Sequence, residues 1–133
     1  MSLGRRIKSR ARKLPDNVNR AAIRAGIAIN QTVIIATPVD TGQARNNWQA
    51  SIGRPITSTT LGAADTSGAD RISANNIIIK TKPREIALWI TNNLPYIGEL
   101  NRGKSSQAPA GFIKLAIQAA TRSLRGVKVF TNG

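Results

Sequence analysis

The sequence predicts an α+β fold in which a small antiparallel sheet packs against a long N-terminal helix and a C-terminal helix. Three observations predict it. Apolar residues recur at three- and four-residue steps from Val18 to Ala36 and again from Ile113 to Leu124. Trp48, Ala50 and Ile52 alternate with Asn47, Gln49 and Ser51, the period-two pattern of a half-buried strand. The run Glu85-Ile86-Ala87-Leu88-Trp89-Ile90-Thr91 is β-branched and aromatic and has the length of a strand. A chain of 133 residues has the size of one domain, and folding at that size buries roughly two-thirds of the extended chain's surface. The expected division is a flexible basic arm over 1–13 and a single α+β domain over 14–133.

Residues 1–13 contain Arg5, Arg6, Lys8, Arg10, Arg12 and Lys13, with Leu3 and Ile7 as the large apolar residues after Met1. Such a block repels itself and buries too little to order alone, so it reads as a flexible arm or a solvated helix start. A tail that merely keeps the protein in solution explains it as well as a binding arm does. Pro15 suits the first turn of a helix, where its missing N–H is no loss. The helix then runs to Ala36 with Val18, Ala22, Ala25, Ile29, Val33 and Ala36 on one row and Ile23, Ile27 and Ile34 on a second. Arg20, Arg24, Gln31 and Asn17 lie elsewhere around it. So wide an apolar girth must be buried on more than one side, inside the domain or against a neighbouring subunit. Thr37-Pro38 ends the helix, because the residue before proline is pushed out of the helical region.

Pro38-Val39-Asp40-Thr41-Gly42 reads as a compact turn in which Asp40 caps a short helical turn through Arg45. Gly53 and Pro55 close the first strand. Residues 56–69, rich in Thr, Ser, Gly and Ala, are expected to continue as a short strand and then a loop. Residues 70–80 fit a short helix stopped by Lys82-Pro83, although Ile77-Ile78-Ile79 alone suggests a strand. In the following strand Ile86, Leu88 and Ile90 share a face, and Trp89 points the other way, under a helix or into an interface. Residues 92–111 form a long loop, and a loop of that length in a small domain is usually functional or ordered in an assembly. The last helix is expected from Pro109, with Ile113, Ile117, Ala120 and Leu124 inward and Lys114, Gln118, Arg122 and Arg125 outward. Gly126 would end it, and Val127-Lys128-Val129-Phe130 would add a strand to this chain or to a neighbour.

The charge balance bears on function. The chain has 20 Lys+Arg against 6 Asp+Glu, a net charge of +14, and neither His nor Cys. A disulfide, a Cys-containing zinc site, a thiol nucleophile and an imidazole base are therefore impossible. Asp16, Asp40, Asp65, Asp70, Glu85 and Glu99 are scattered and leave little for acid–base chemistry. The expectation is a protein that is not an enzyme and uses no cofactor and no metal. So basic a chain instead favours polyanions or acidic proteins as partners. The longest apolar runs are far shorter than the ~20 residues of a membrane span, so no membrane partner is expected. No signal-peptide pattern precedes Lys13, although an Arg-containing start without acids also fits a transit peptide. The chain reads as soluble and intracellular when made.

Gly98-Glu99-Leu100-Asn101-Arg102-Gly103-Lys104-Ser105 matches G-x-x-x-x-G-K-[ST] letter for letter. A phosphate-binding loop needs a buried strand before it and a helix starting at the Lys, so that successive N–H groups cradle the phosphate. Here Leu94-Pro95 precedes the loop and Pro109 interrupts the residues that follow. The match is a coincidence of a Gly- and Lys-containing loop.

Two segments together carry a resemblance. Thr37-Pro38-Val39-Asp40-Thr41-Gly42, then Arg45 and Trp48, resembles the "PVDTG…R…W" signature of the neck and tail-completion (head–tail joining, minor tail) proteins of long-tailed bacteriophages. Thr91-Asn92-Asn93-Leu94-Pro95-Tyr96, then Glu99-Leu100 and Gln107-Ala108-Pro109-Ala110-Gly111-Phe112, is similar to that family's second block. The resemblance covers about residues 15 to 125, with the blocks in the family's order. The chain departs from the pattern at Ile97-Gly98 and carries Asn101-Arg102-Gly103-Lys104 in the loop.

The resemblance implies a structural virion protein of the neck or upper tail, made in the host cytoplasm. Its copies would form a homo-oligomeric ring, expected to be hexameric. That ring would complete the tail, join it to the head connector or adaptor, abut the tail tube or terminator, and leave a channel for DNA. The 14–133 domain is then tail-completion-like. Expected subunit or ring contacts are Ile23, Ile27, Ile34, Trp89, Tyr96, Arg102 and Lys104. Arg5, Arg6, Lys8, Arg10, Arg12 and Lys13 would make nonspecific contact with channel DNA or with acidic partners. Pro38, Asp40, Thr41 and Gly42 would shape the backbone as a structural turn. The alternatives are a tail terminator, which differs only in position, and a small basic protein binding nucleic acid nonspecifically. Against the last stands an aromatic content of 4%, too low for base stacking interleaved with basic residues.

Overall fold

A computed structural model describes residues 16–39, 42–60, 65–103, 105 and 107–122. The basic arm, Asp40, Thr41, Lys104 and the expected C-terminal strand at 127–130 lie outside the described residues. The fold is α+β, as the sequence predicts. Helix α1 spans Asp16–Ala36, α2 Gln43–Asn46, α3 Ala69–Lys80, α4 Ile97–Asn101 and α5 Phe112–Thr121. Strands β1 (Trp48–Ile52) and β2 (Leu88–Asn92) pair antiparallel, with Trp48 opposite Asn92 and Ile52 opposite Leu88. The ladder continues one step further through Gly53 N–H to the Ala87 carbonyl at 2.8 Å.

Helix α1 is the axis of the molecule. It packs along α5 on one side and against α3 on another, while α3 also lies on β1. The core joins Val33, Ile34, Trp48 and Ala116, with Ile29, Ala36, Ile72, Ile90, Ile97, Ile113 and Ile117 packed around them. The two apolar rows of α1 therefore find most of their burial inside one chain. At Gly26, α1 approaches its neighbours closely. A Cβ there would lie 2.5 Å from Leu88 Cδ2 and 3.1 Å from Ile79 Cγ2, so no larger residue fits without displacing them.

Four expectations change. The anticipated strand after Pro55 does not form in residues 55–60. Side chains take its carbonyls instead: Gln49 Nε2 donates to Ser58 O (2.8 Å), and Asn93 Nδ2 and Thr91 Oγ1 donate to Ile56 O (2.6 and 3.2 Å). Thr60 N–H in turn donates to Asn47 Oδ1 at 2.8 Å. The segment is thus a strap over the polar face of the sheet. Second, the strand expected over 85–91 starts at Leu88, because Pro83 opens a turn closed by Ile86 N–H on Pro83 O (3.4 Å). Third, the long 92–111 loop contains α4, wound by bonds such as Leu100 N–H to Tyr96 O at 3.1 Å and ended by Gly103 at φ 94°. Fourth, α5 begins at Phe112, not Pro109, and its fully inward row is Phe112 and Ala116, flanked by the half-buried Ile113 and Ile117.

The helices and the sheet are locked by amides. Asn30 and Asn75 are both fully buried. Asn75 Nδ2 donates to Trp48 O and to Asn30 Oδ1, each at 2.8 Å, and Asn75 Oδ1 accepts Ala50 N–H at 3.2 Å. Asn30 Nδ2 donates to Ile72 O (3.2 Å) and Asn76 Oδ1 (3.0 Å). Every hydrogen-bonding arm of Asn75 is in use, so truncating it orphans three buried polar groups at once, each worth roughly 1–3 kcal/mol. Asn75→Ala is expected to lower unfolding free energy by about 3 kcal/mol or more, read from the urea midpoint; a loss below about 0.5 kcal/mol would remove this lock from the account.

Candidate functional site

The two sequence blocks, far apart along the chain, meet at the C-terminal end of α1. The chain leaves that helix through Thr37, whose hydroxyl donates to Val33 O at 2.6 Å and accepts the Trp48 indole N–H at 2.8 Å. Thr37 and Pro38 are buried, as is Gly42, whose φ of 83° is left-handed backbone that only glycine adopts without strain. Gln107 of the second block grips Val39 of the first at both ends. Val39 N–H donates to Gln107 Oε1 (2.8 Å), and Gln107 Nε2 donates to Val39 O (2.6 Å). Asn92 Nδ2 adds a bond to Ala44 O at 2.9 Å, and Leu94, Ala108 and Phe112 are buried beneath.

Arg45 is the fastener of this end. Its Nε donates to Thr37 O and its Nη2 to Ile35 O, both at 2.8 Å, while Nη1 reaches Thr66 O (3.2 Å) and Ser67 O (3.4 Å). The last carbonyls of α1 have no partner within the helix, and the helix dipole makes that end negative. A planar cation with several fixed donors answers both needs. The same guanidinium ties in the turn before α3. In that turn Asp65 accepts from Ser67 Oγ at 2.8 Å, Ser67 N–H at 3.0 Å and Asp70 N–H at 3.2 Å. These bonds, the Ser67 hydroxyl first, hold the Asp65 carboxyl below the ordinary carboxylate range.

The expected contact residues divide. Ile34 is 0% exposed, inside the chain's own core, so it cannot serve as a ring contact. The reason is geometric: it faces the Gly68 turn and Trp48, and a Cβ on Gly68 would come within 2.5 Å of it. Ile23 and Ile27 are half-buried. Trp89 and Tyr96 remain 38% and 40% exposed, and Arg102 is exposed. Trp89 lies on the strap-covered face of the sheet, not under a helix. Lys104 and the six arm cations lie outside the described residues, as do Asp40 and Thr41 of the structural turn.

The letters of the phosphate-loop pattern fall on a different structure. Gly98 and Asn101 belong to α4, no strand runs directly into it, and the next helix begins at Phe112. Among the described residues of this segment, Gly98 to Asn101 form helix and not a loop running from a strand into a helix. Among the described residues no group of three or more acidic side chains could hold a metal ion. No described helix is long and apolar enough to cross a membrane.

Several side chains matter here that sequence reading did not single out. Ile35 and Leu115, each 52% exposed, rim an open apolar groove between α1 and α5, floored by Ala36, Phe112 and Ala116 and closed at one end by Gln107 and Pro109. Their signal was weak, since Ile35 interrupts the polar side of α1 as a single residue. Gln107 and Arg45 were visible as members of the blocks, but nothing in the letters gave their bonding partners. No family model, curated protein or solved structure matches this chain.

Two outcomes follow from the fasteners. Arg45→Lys keeps the charge but cannot reach the α1 and 66–67 carbonyls together, and is expected to cost roughly 1–3 kcal/mol in urea unfolding. An unchanged midpoint would show the fork to be dispensable. For Asp65, a carboxyl depressed in the fold contributes stability above its unfolded value, near pH 4. That stability is lost as pH falls through the folded value. The thermal midpoints of wild type and Asp65→Asn should therefore differ at neutral pH and converge in strong acid; a constant difference across that range contradicts the assignment.

Proposed function

We propose that this chain is a structural virion protein of the phage neck or upper tail. Its copies form a ring that completes the tail, joins it to the head connector and leaves a channel for DNA. One observation carries the reading. The two blocks on which the resemblance to neck and tail-completion proteins rests are clamped together by Gln107 on Val39 and by Asn92 on Ala44. That both segments converge on one end of the fold supports reading them as one functional unit.

The chemistry of that end supports assembly over reaction. Its polar side chains are occupied in shaping backbone: Thr37, Arg45, Asn92 and Gln107 each bond main-chain carbonyls or N–H groups. Large apolar side chains are exposed as well, Ile35 and Leu115 along the groove and Trp89 and Tyr96 elsewhere. Exposed large side chains of this kind are the usual anchors of protein–protein contact.

The test is complementation of a phage deleted for this gene. Wild-type protein is expected in several copies at the top of the tail in micrographs of purified particles. Trp89→Asp and Ile35→Asp, both at exposed positions, are expected to give separated heads and tails at least about tenfold more often, as loss of an interface anchor worth ~1.4 kcal/mol or more would require. A single copy per particle, absence from particles, or normal joining by both variants would overturn the reading.

A further inference from the structure

We propose that the N-terminal end of α1 and the connection from α3 to β2 form one binding surface for the phosphate backbone of a nucleic acid, with Arg20, Arg24, Lys80, Lys82 and Arg84 as its cations. The fold brings the two segments that carry these residues together from distant parts of the chain. Helices α1 and α3 run antiparallel: Asn30 meets Ile72 and Asn76, Gly26 meets Ile79, and Asn19 meets Lys82. The last pair is 63 residues apart in sequence and doubly bonded, with Asn19 Nδ2 donating to Lys82 O (3.3 Å) and Lys82 Nζ donating to Asn19 Oδ1 (2.6 Å). Residues 80–84 are thereby fixed beside the first turns of α1.

Arg20, Arg24, Lys80 and Arg84 are exposed there. The carboxylates on the same two segments are Asp16 and Glu85. The arm, with six more cations, joins the chain at this end by covalent connectivity. Partial burial lowers the affinity of Lys82 for its proton, and an anion brought close would reverse that shift.

A nucleic acid fits this surface better than an acidic protein. Protein interfaces exclude lysine from their centres, whereas a duplex offers one phosphate charge per ~1.7 Å and is met by lines of Lys and Arg without a pocket. Only 4% of the chain is aromatic, so backbone contact without base reading is the mode to expect. The inference stands independently of the ring, because it concerns a surface of the single subunit.

The test is a salt titration of the full chain against a labelled duplex of about 30 base pairs and an unrelated duplex, with poly-glutamate as the competing polyanion. Wild type is expected to bind both duplexes alike, with log K falling by about 0.9 per log unit of salt for each phosphate contacted. Arg20→Ala/Arg24→Ala and Lys80→Ala/Arg84→Ala should each flatten that slope by roughly one to two and weaken binding at least about threefold. Circular dichroism melting checks that each pair still folds; Lys82 is left intact because it holds Asn19. No duplex binding by wild type, wild-type slopes in both pairs, or tighter binding of poly-glutamate than of DNA at equal salt would each overturn the proposal. None of these results bears on whether the subunits form a ring.

Discussion

A two-stranded sheet is marginal in water, and here it is held in place by one buried amide. The edge of β1 that faces away from β2 has no third strand among the described residues. Asn75 supplies what such a strand would give, accepting Ala50 N–H and donating to Trp48 O. A helix can thus lie flush against a strand edge and leave neither backbone group without a partner. Asn30 then fixes the amide's orientation from α1. Helix, helix and strand are joined through two side chains that accept few alternatives, because any rotation leaves a buried polar atom without a partner.

Polar mortar of this kind suits a core in which alanines are set among the larger residues. Ala25, Ala44, Ala50, Ala108 and Ala116 are all buried, while Trp48 and Phe112 are the buried aromatics among the described residues. Alanine lets backbones approach closely but removes little apolar surface from water, so each contact contributes less than a leucine would. The remaining specificity comes from directional bonds. Gln107 on Val39, Asn92 on Ala44, Asn93 on Ile56 and Asn47 on Thr60 each join a side-chain amide to a distant main-chain group. The loops of this protein are consequently placed by named partners more than by hydrophobic pressure.

That division explains what could be read from the letters. The helix at 16–36 and the strand at 48–52 were legible, because periodicity reports which face of an element is buried. The helix at 69–80 was legible only in part, since Ile77-Ile78-Ile79 also reads as a strand. The strap at 55–60 was not, since its carbonyls go to Gln49, Asn93 and Thr91, and a Thr/Ser-rich run looks the same whether it bonds to a strand or to side chains. Ile34 shows a related limit. A second apolar row on α1 says that another side is covered, not whether the cover is α3 and the sheet or another subunit. The winding of α4 depended on Pro95-Tyr96 opening a turn in a segment whose prolines and glycines otherwise spell loop. For the candidate site, the blocks were visible as words, but their meeting in space rested on Gln107 reaching Val39, which no local pattern encodes.

Helix α1 also sets how far apart the two ends of the molecule lie. At 21 residues and ~1.5 Å per residue it spans roughly 30 Å. Its C-terminal end carries the clamped blocks and the Ile35–Leu115 groove, and its N-terminal end carries Arg20 and Arg24 beside residues 80–84. Under the proposed reading, one end would grip protein and the other would face phosphate, with a rigid rod between them. That separation has a physical consequence. Contacts to phosphate are screened over about 10 Å at ordinary salt, so charge at the basic end scarcely alters attraction or repulsion at the apolar end. Under the two proposals, the two associations are therefore separable by position along a single helix.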